Sequence, residues 1–182
     1  DVLSAVTPAT QLVSVSLANG EIGCVQPVRE LARMMAGLRE KRLAAGDLTP
    51  LYLHVDASQA ASCLTVDVGS LGCDLLILDD LGTEMITAYS TSGRRREESR
   101  RLSALRGRLE RGLLAEFPWA LVSGPKKEKF RLPGLLHVSF PGLEARRLVI
   151  GLEREGVSVG TGSACAASKM RVSHVLRAIG MP

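Results

Sequence analysis

Tyr52-Leu53-His54-Val55-Asp56-Ala57-Ser58-Gln59 is the stretch from which the fold is read. Leu51 to Val55 has the short apolar pattern of a buried strand, and the strand runs directly into a turn carrying the carboxylate of Asp56 and the amide of Gln59. A carboxylate at the end of an interior strand is costly unless it meets a cation or a hydrogen-bond donor, so Asp56 marks a candidate ligand site. In open α/β sheets ligands sit at that end of the strands. Local grammar also allows a plainer reading, with Asp56 capping the next helix and Gln59 as a surface amide.

Working outward, Gln11 to Ala18 alternates and is rich in Val and Leu, so it reads as a strand closed by the Asn19-Gly20 turn. Pro27 stands where a first helical residue belongs, and Val28, Leu31, Met34, Met35 and Leu38 recur at helical spacing up to Gly46. Strand, helix and strand in that order make a βαβ unit, which implies a parallel sheet. Leu64 to Gly72 reads as a loop with a short turn. Cys73 to Leu78 reads as a strand covered on both faces, because its apolar run is continuous.

The character changes after Asp79-Asp80. A long amphipathic helix is predicted from Arg94 to Phe117, with Leu102, Leu105, Leu109 and Leu113 on one face and the interleaved Arg and Glu residues up to Arg111 on a solvated face. The stretch from Trp119 to Gly124 leads through a basic loop, Pro125 to Arg131, into a strand from Leu135 to Phe140. A helix from Glu144 to Glu155, a strand from Val157 to Val159 and a last helix from Val172 to Ile179 complete a small α+β unit. The expected fold class is α/β, with residues 1–93 in a mainly parallel larger domain and residues 94–182 in a small C-terminal α+β domain.

The 182 residues are 46% hydrophobic, enough to bury a core, and the formal charge is +4. That mild basicity is spread among acidic residues, and aromatics make up only 3% of the chain, which argues against a nucleic-acid surface. Cys24, Cys63, Cys73 and Cys165 form no C-x-x-C pair, so a disulfide framework or zinc ribbon is not expected, and a reducing, cytoplasmic compartment is. No apolar run approaches the roughly 18 residues of a membrane span. Asp1-Val2-Leu3 resembles a helix end preceding the first strand, as expected of a piece of a longer chain.

Cys165 is the candidate nucleophile, because it lies in the small-residue loop Gly160 to Ser168 instead of inside an apolar run. A tight loop around a semi-buried thiol is the competing reading. Cys24, Cys63 and Cys73 lie in or beside core elements and read as packing residues. Asn19 follows one strand end and Asp56 and Gln59 follow another, so three polar groups converge on one sheet edge, as a hydrogen-bonded cofactor ring would require. The Asn19-Gly20 pair is also an ordinary turn. His54 lies on the same strand face as Asp56 and is left without a role. His137 and His174 share no ligand-like spacing with it, so no metal site is expected. No Gly-x-Gly-x-x-Gly follows a strand, which ranks a nucleotide-binding domain last.

The runs Leu17-Ala18-Asn19-Gly20-Glu21-Ile22-Gly23, His54-Val55-Asp56-Ala57-Ser58-Gln59, Arg131-Leu132-Pro133-Gly134 with Val138-Ser139-Phe140, and Gly162-Ser163-Ala164-Cys165 resemble the cysteine desulfurases in order and over nearly the whole chain. These are pyridoxal-phosphate enzymes of the class V aminotransferase group, and selenocysteine lyases are related to them. The resemblance implies that Asp56 pairs with the cofactor's pyridine nitrogen and that Asn19 and Gln59 contact its phenolic oxygen. It implies that Cys165 takes the sulfur of substrate L-cysteine as a persulfide, leaving L-alanine, for iron-sulfur cluster assembly or tRNA thiolation. It further implies a homodimer and a sulfur-acceptor or scaffold protein as partner, with neither nucleic acid nor membrane bound directly.

The resemblance breaks in one place. A lysine segment that holds the cofactor as a Schiff base should follow the strand ending near Leu78, but the chain passes from Leu78-Asp79-Asp80 to Leu81-Gly82-Thr83-Glu84, which resembles a more distal motif. A block is therefore expected to be missing at about Asp79 to Leu81. Lys126, Lys127 and Lys129 lie in the small-domain loop, and Ser123-Gly124-Pro125-Lys126 is a false echo of the missing segment. An N-terminal phosphate cradle with a stacking residue, and an Arg for the substrate carboxylate beyond Pro182, are also lacking. Two readings follow: part of a longer desulfurase, or an inactive, reduced relative that acts as a binding or sulfur-relay partner.

Overall fold

The computed structural model describes residues 2–79, 92–161 and 173–181. The strands β1 (Leu12–Ser16), β2 (Tyr52–Asp56) and β3 (Leu75–Ile77) form a parallel sheet in the order β1-β2-β3. Helix α1 (Val28–Ala44) makes the crossover from β1 to β2, as the βαβ pattern required. The segment 64–72 contains a short helix, α2 (Val68–Leu71). Asp67 caps it, its carboxylate accepting from the Ser70 N–H at 2.7 Å. Gly72 ends it in the left-handed region, φ 71°, and lies so close to α1 that an added Cβ would stand 3.1 Å from that of Ala32.

Register decides which side chains are inside. Val13 pairs with Leu53 and Val15 with Val55, and this face meets Val28 and Met35 of α1. Leu53, Val55 and Met35 are 0% exposed. Arg39 of α1 fastens the layer. It donates to the Leu51 carbonyl and ion-pairs with Asp74, whose carboxylate also accepts from the Leu53 N–H at 2.7 Å.

The opposite face departs from expectation. Leu75 and Ile77 of β3 are 51% and 52% exposed, and Leu12 and Tyr52, paired in register, are equally open. The continuous apolar run had predicted cover on both faces. Alternation still turns every second side chain outward, and no described element lies over that side.

The second half begins with α3 (Ser92–Glu116) and continues through an antiparallel pair, β4 (Leu121–Val122) with β5 (Val138–Ser139), to α4 (Ala145–Arg154) and α5 (His174–Ala178). Three expectations are corrected here. The leucine stripe of α3 is only partly covered: Leu102 and Leu113 are half-buried and Leu105 and Leu109 exposed, whereas Arg106, expected on the solvated face, is buried at 4% exposure. Arg106 is drawn inward because it donates to the Leu132 carbonyl at 2.7 Å and ion-pairs with Glu128. Val157 to Val159 form no strand, since the Val157 N–H turns back to the Leu152 carbonyl and closes α4. The strand expected from Leu135 to Phe140 is only two residues long, matching the length of its partner β4.

The halves meet through a backbone strip. The Val25 N–H donates to the Phe130 carbonyl at 2.8 Å and the Leu132 N–H to the Gly23 carbonyl at 2.7 Å. Leu132 joins the core cluster of the sheet half. Gly124, at φ 93°, passes so near Ile22 that an added Cβ would stand 2.8 Å from its carbonyl oxygen.

Candidate functional site

The register Ser16↔Asp56↔Ile77 aligns the carboxyl ends of the three strands. Just beyond that line the chain turns sharply in two places. Asp56 Oδ1 accepts from the Ser58 N–H at 2.9 Å, and the nearby Ser58 hydroxyl and then this N–H hold the carboxyl below the ordinary carboxylate range. Partial burial opposes this, and the charge of His54 assists it more weakly. Asp56 therefore anchors its own Asx turn and does not cap an α-helix, as residues 58–63 are turns.

Asn19 is arranged in the same manner. Its Oδ1 accepts from the N–H groups of Glu21 and Ile22, at 2.9 and 3.0 Å. The carbonyl end of the amide is thus used by its own turn, and among the described residues its NH₂ meets no acceptor. Gln59 is exposed and rests its side chain on Gly20: an added Cβ there would lie 2.8 Å from Gln59 Oε1. The structure therefore brings the Asn19-Gly20 turn and Gln59 together, with Asp56 at the base of the Gln59 turn.

The set suits a pyridine ring bearing an oxygen. An ionised carboxylate is the partner for a protonated ring nitrogen, and a fixed amide NH₂ is a donor for a phenolic oxygen. A cavity of about 450 Å³ lies alongside β1 and α1, walled by Leu3, Val15, Leu31 and Met34 with Asn19 at its rim. Neither Asp56 nor Gln59 lines it, so it is an apolar recess beside the polar cluster.

Three of the four quoted motifs come together at this end of the sheet, because the strip at Arg131 and Leu132 bonds directly to the strand leaving the Asn19 turn. The fourth, with Cys165, lies outside the described residues. Burial pushes the thiols of Cys24 and Cys73 up, away from thiolate character, as expected of packing residues. Among the described residues no group of His, Cys, Asp and Glu could hold a metal ion. No described helix is long and apolar enough to cross a membrane.

Two polar pairs were not foreseen. His54 Nδ1 lies 2.7 Å from Ser14 Oγ, while its Nε2 is buried without a partner among the described residues. The signal for this pair was strand phase, since Ser14 and His54 lie on matching faces of neighbouring strands. His137 Nδ1 meets Ser123 Oγ at 2.9 Å, and burial lowers its pKa against an opposing pull from Glu21. This contact ties the residue before β5 to the residue after β4.

The chain has relatives among known proteins in both sequence and fold. Residues 1–79 match the model of the aminotransferase class-V family. Cysteine desulfurase IscS of Clostridium botulinum is 31% identical over 224 positions, covering all of this chain and 54% of that protein. These matches make the chain similar to the cysteine desulfurases and to the class V aminotransferase family. The solved NifS-like protein from Rickettsia africae superimposes with a TM-score of 0.70 at 17% identity, over 99% of this chain and 55% of the other. DndA from Streptomyces lividans gives 0.63 at 21%, over 100% and 60%. Both show the fold alone. Human selenocysteine lyase is 46% identical over 78 residues, 43% of this chain and 17% of that protein.

The chain spans about half the length of the curated relatives it matches. The IscS alignment runs over 224 positions against 182 residues here, so at least 42 positions face no residue of this chain. The family-model match ends at Asp79.

Proposed function

We propose that this chain carries part of a cysteine desulfurase-type transferase site, with Asp56, Asn19 and Gln59 holding pyridoxal phosphate and Cys165 accepting sulfur. On this reading residues 1–93 belong to the cofactor-binding domain and 94–182 to the small domain that carries the acceptor thiol. The single observation that carries it is the ionised Asp56 carboxylate at the carboxyl end of β2, in the turn whose Gln59 rests on the Asn19-Gly20 turn. When bound, pyridoxal phosphate supplies an electron sink for the substrate amino acid. Asp56 holds the ring nitrogen protonated, and the Asn19 NH₂, fixed by the Glu21 and Ile22 N–H groups, donates to the ring oxygen. The carbon–sulfur bond of L-cysteine breaks and a sulfur–sulfur bond forms on Cys165. The substrate carbon is reduced to the methyl of L-alanine as sulfur is oxidised to the persulfide level. A homodimer and a sulfur-acceptor protein are the partners this chemistry takes.

The unmatched positions support a second reading, in which the chain binds a partner without turning over. One experiment separates them. The purified chain is titrated with pyridoxal 5′-phosphate and followed by visible absorbance, then supplied with L-cysteine or selenocysteine, with alanine and the mass of the Cys165 peptide measured. Saturable binding weakened by Asp56→Ala, with one added sulfur atom on Cys165 and none in Cys165→Ser, supports the transferase. Binding unaffected by Asp56→Ala removes the ring-nitrogen role. A persulfide that appears only when an active desulfurase is added leaves the relay reading.

A further inference from the structure

We infer that the exposed side of α3 is a docking face for an acidic amphipathic helix of a partner protein. Arg96, Arg100, Arg108 and Arg111 meet its carboxylates, and the groove along Leu105 and Leu109 takes its apolar seam. This face shares no residue with the proposed cofactor site, and its binding can be measured whether or not that proposal holds.

The charge of the chain is concentrated here. Ser92–Glu116 holds eight arginines and four glutamates, a surplus of four that equals the formal charge of all 182 residues. Acids interleaved in the sequence are engaged by the fold: Glu98 pairs with Arg101 at 2.6 Å and Glu110 with Arg131 at 2.9 Å. Arg106, on the inward side, pairs with Glu128. Arg96, Arg100, Arg108 and Arg111 are exposed and meet no carboxylate among the described residues. At 3.6 residues per turn they lie within about 120° of one another, on the side away from Arg106, and Glu97 is the acid that stays among them. Guanidinium groups left without counter-charge match carboxylates or phosphates, which take their planar fork in bidentate pairs.

The neighbouring strip of α3 selects among the anions. A groove of about 600 Å³ runs beside the arginines, walled by Leu105, Leu109, Leu113 and Phe117, with Arg108 on its edge and Glu116 at its end. Leu105 and Leu109 are one helical turn apart, the spacing at which a partner helix lays its own apolar side chains. Phosphate and sugar would leave such a groove unfilled. A lipid surface needs a broad apolar face, whereas here the exposed leucines are flanked by arginines and the inward side of α3 is bonded to Leu132 and Glu128. A second copy would set the same cations against each other, and like charge opposes it.

Trp119 is the single tryptophan, its ring centroid 6.1 Å from that of Phe117, so its emission reports on the groove. The full chain is titrated with a synthetic peptide of about 20 residues, glutamates with leucine at heptad spacing, and with the same residues scrambled. The expected result is saturable binding of the patterned peptide, roughly tenfold tighter than of the scrambled one, weakening as sodium chloride rises from about 0.05 to about 0.5 M. Arg100→Glu with Arg108→Glu should weaken it by about tenfold or more, and Leu109→Ser should bring the patterned peptide to the scrambled level. If the double reversal does not fold, Arg96→Gln with Arg111→Gln should weaken binding by about threefold. No saturable change, an affinity indifferent to the arginine substitutions, or a Leu109→Ser chain that still prefers the patterned peptide overturns the inference. So does tighter binding of single-stranded RNA or of phosphatidylglycerol vesicles than of the patterned peptide. A chain that binds the peptide as expected but not pyridoxal 5′-phosphate would sink the proposed function and leave the docking face standing.

Discussion

The sheet half and the α3 half are held together by different forces. In residues 2–79 the contacts are apolar: Val13, Leu53, Val55, Met35 and Leu71 form one buried cluster, and the polar groups sit at its rim. In residues 92–161 the buried side chains include Arg106, Arg131 and Ser123, and the large apolar groups Leu105, Leu109, Trp119 and Leu121 are open to solvent. Arg106 pairs with Glu128 and Arg131 with Glu110, so α3 is fixed to the 128–132 strip by two ion pairs with buried guanidinium groups. Phe117, Trp119 and Phe140 form an edge-to-face aromatic trio at the end of α3, but two of the three remain exposed. The difference teaches that burial of apolar area sets the stability of the first half, while the second depends on charge and therefore on pH.

The comparison breaks most directly in the core. Leu53→Ala removes a fully buried side chain between β1 and β3 and should cost about 2–5 kcal/mol in urea unfolding, with early loss of sheet signal. A cost below about 1 kcal/mol would show that the apolar cluster is not what holds this half.

Glu128→Ala addresses the other half. It leaves the Arg106 guanidinium buried without its carboxylate and should cost about 1–3 kcal/mol. Adding Arg106→Met to Glu128→Ala should recover part of that loss, since a buried apolar chain needs no counter-charge. If the double variant is worse than Glu128→Ala alone, burial of Arg106 is driven by its bond to Leu132 and not by the ion pair.

The smallest effect is in acid. Burial lowers the His137 pKa in the folded chain, so the unfolded chain binds the proton more readily. The contribution of His137 is complete above about pH 6.5 and is lost as pH falls through the folded value. Asp56 and Glu128 also have depressed folded values, so their contributions are complete above the ordinary carboxylate range and are lost at still lower pH. Urea midpoints measured from pH 8 downward should fall in two stages, and His137→Phe should remove the first. A midpoint that is flat down to pH 5 in the native chain would exclude a neutral, buried His137.

Periodicity was a good guide where one force dominated. The alternation of β1, the spacing of α1 and the apolar run of β2 follow from burying one face, and Leu12–Ser16, Val28–Ala44 and Tyr52–Asp56 appear close to where the pattern put them. It failed for α3, where leucine spacing implied an inward stripe. A guanidinium with a carbonyl and a carboxylate waiting took the inward position, and those partners lie more than twenty residues away. It failed again at Val157, because a strand needs a neighbour that local residues do not specify. For the candidate site, chemistry was legible: Asp56, Gln59 and the Asn19-Gly20 turn stood out as polar groups at strand ends.

The sequence by itself determined the parallel βαβ order and the residues that carry polar chemistry, because both depend on local spacing and residue type. Tertiary structure alone decided that Gln59 rests on Gly20, that His54 finds Ser14 on the next strand, and that one sheet face stands open. Each of these depends on which strand lies beside which and in what register, and that is fixed only when distant segments compete for the same core.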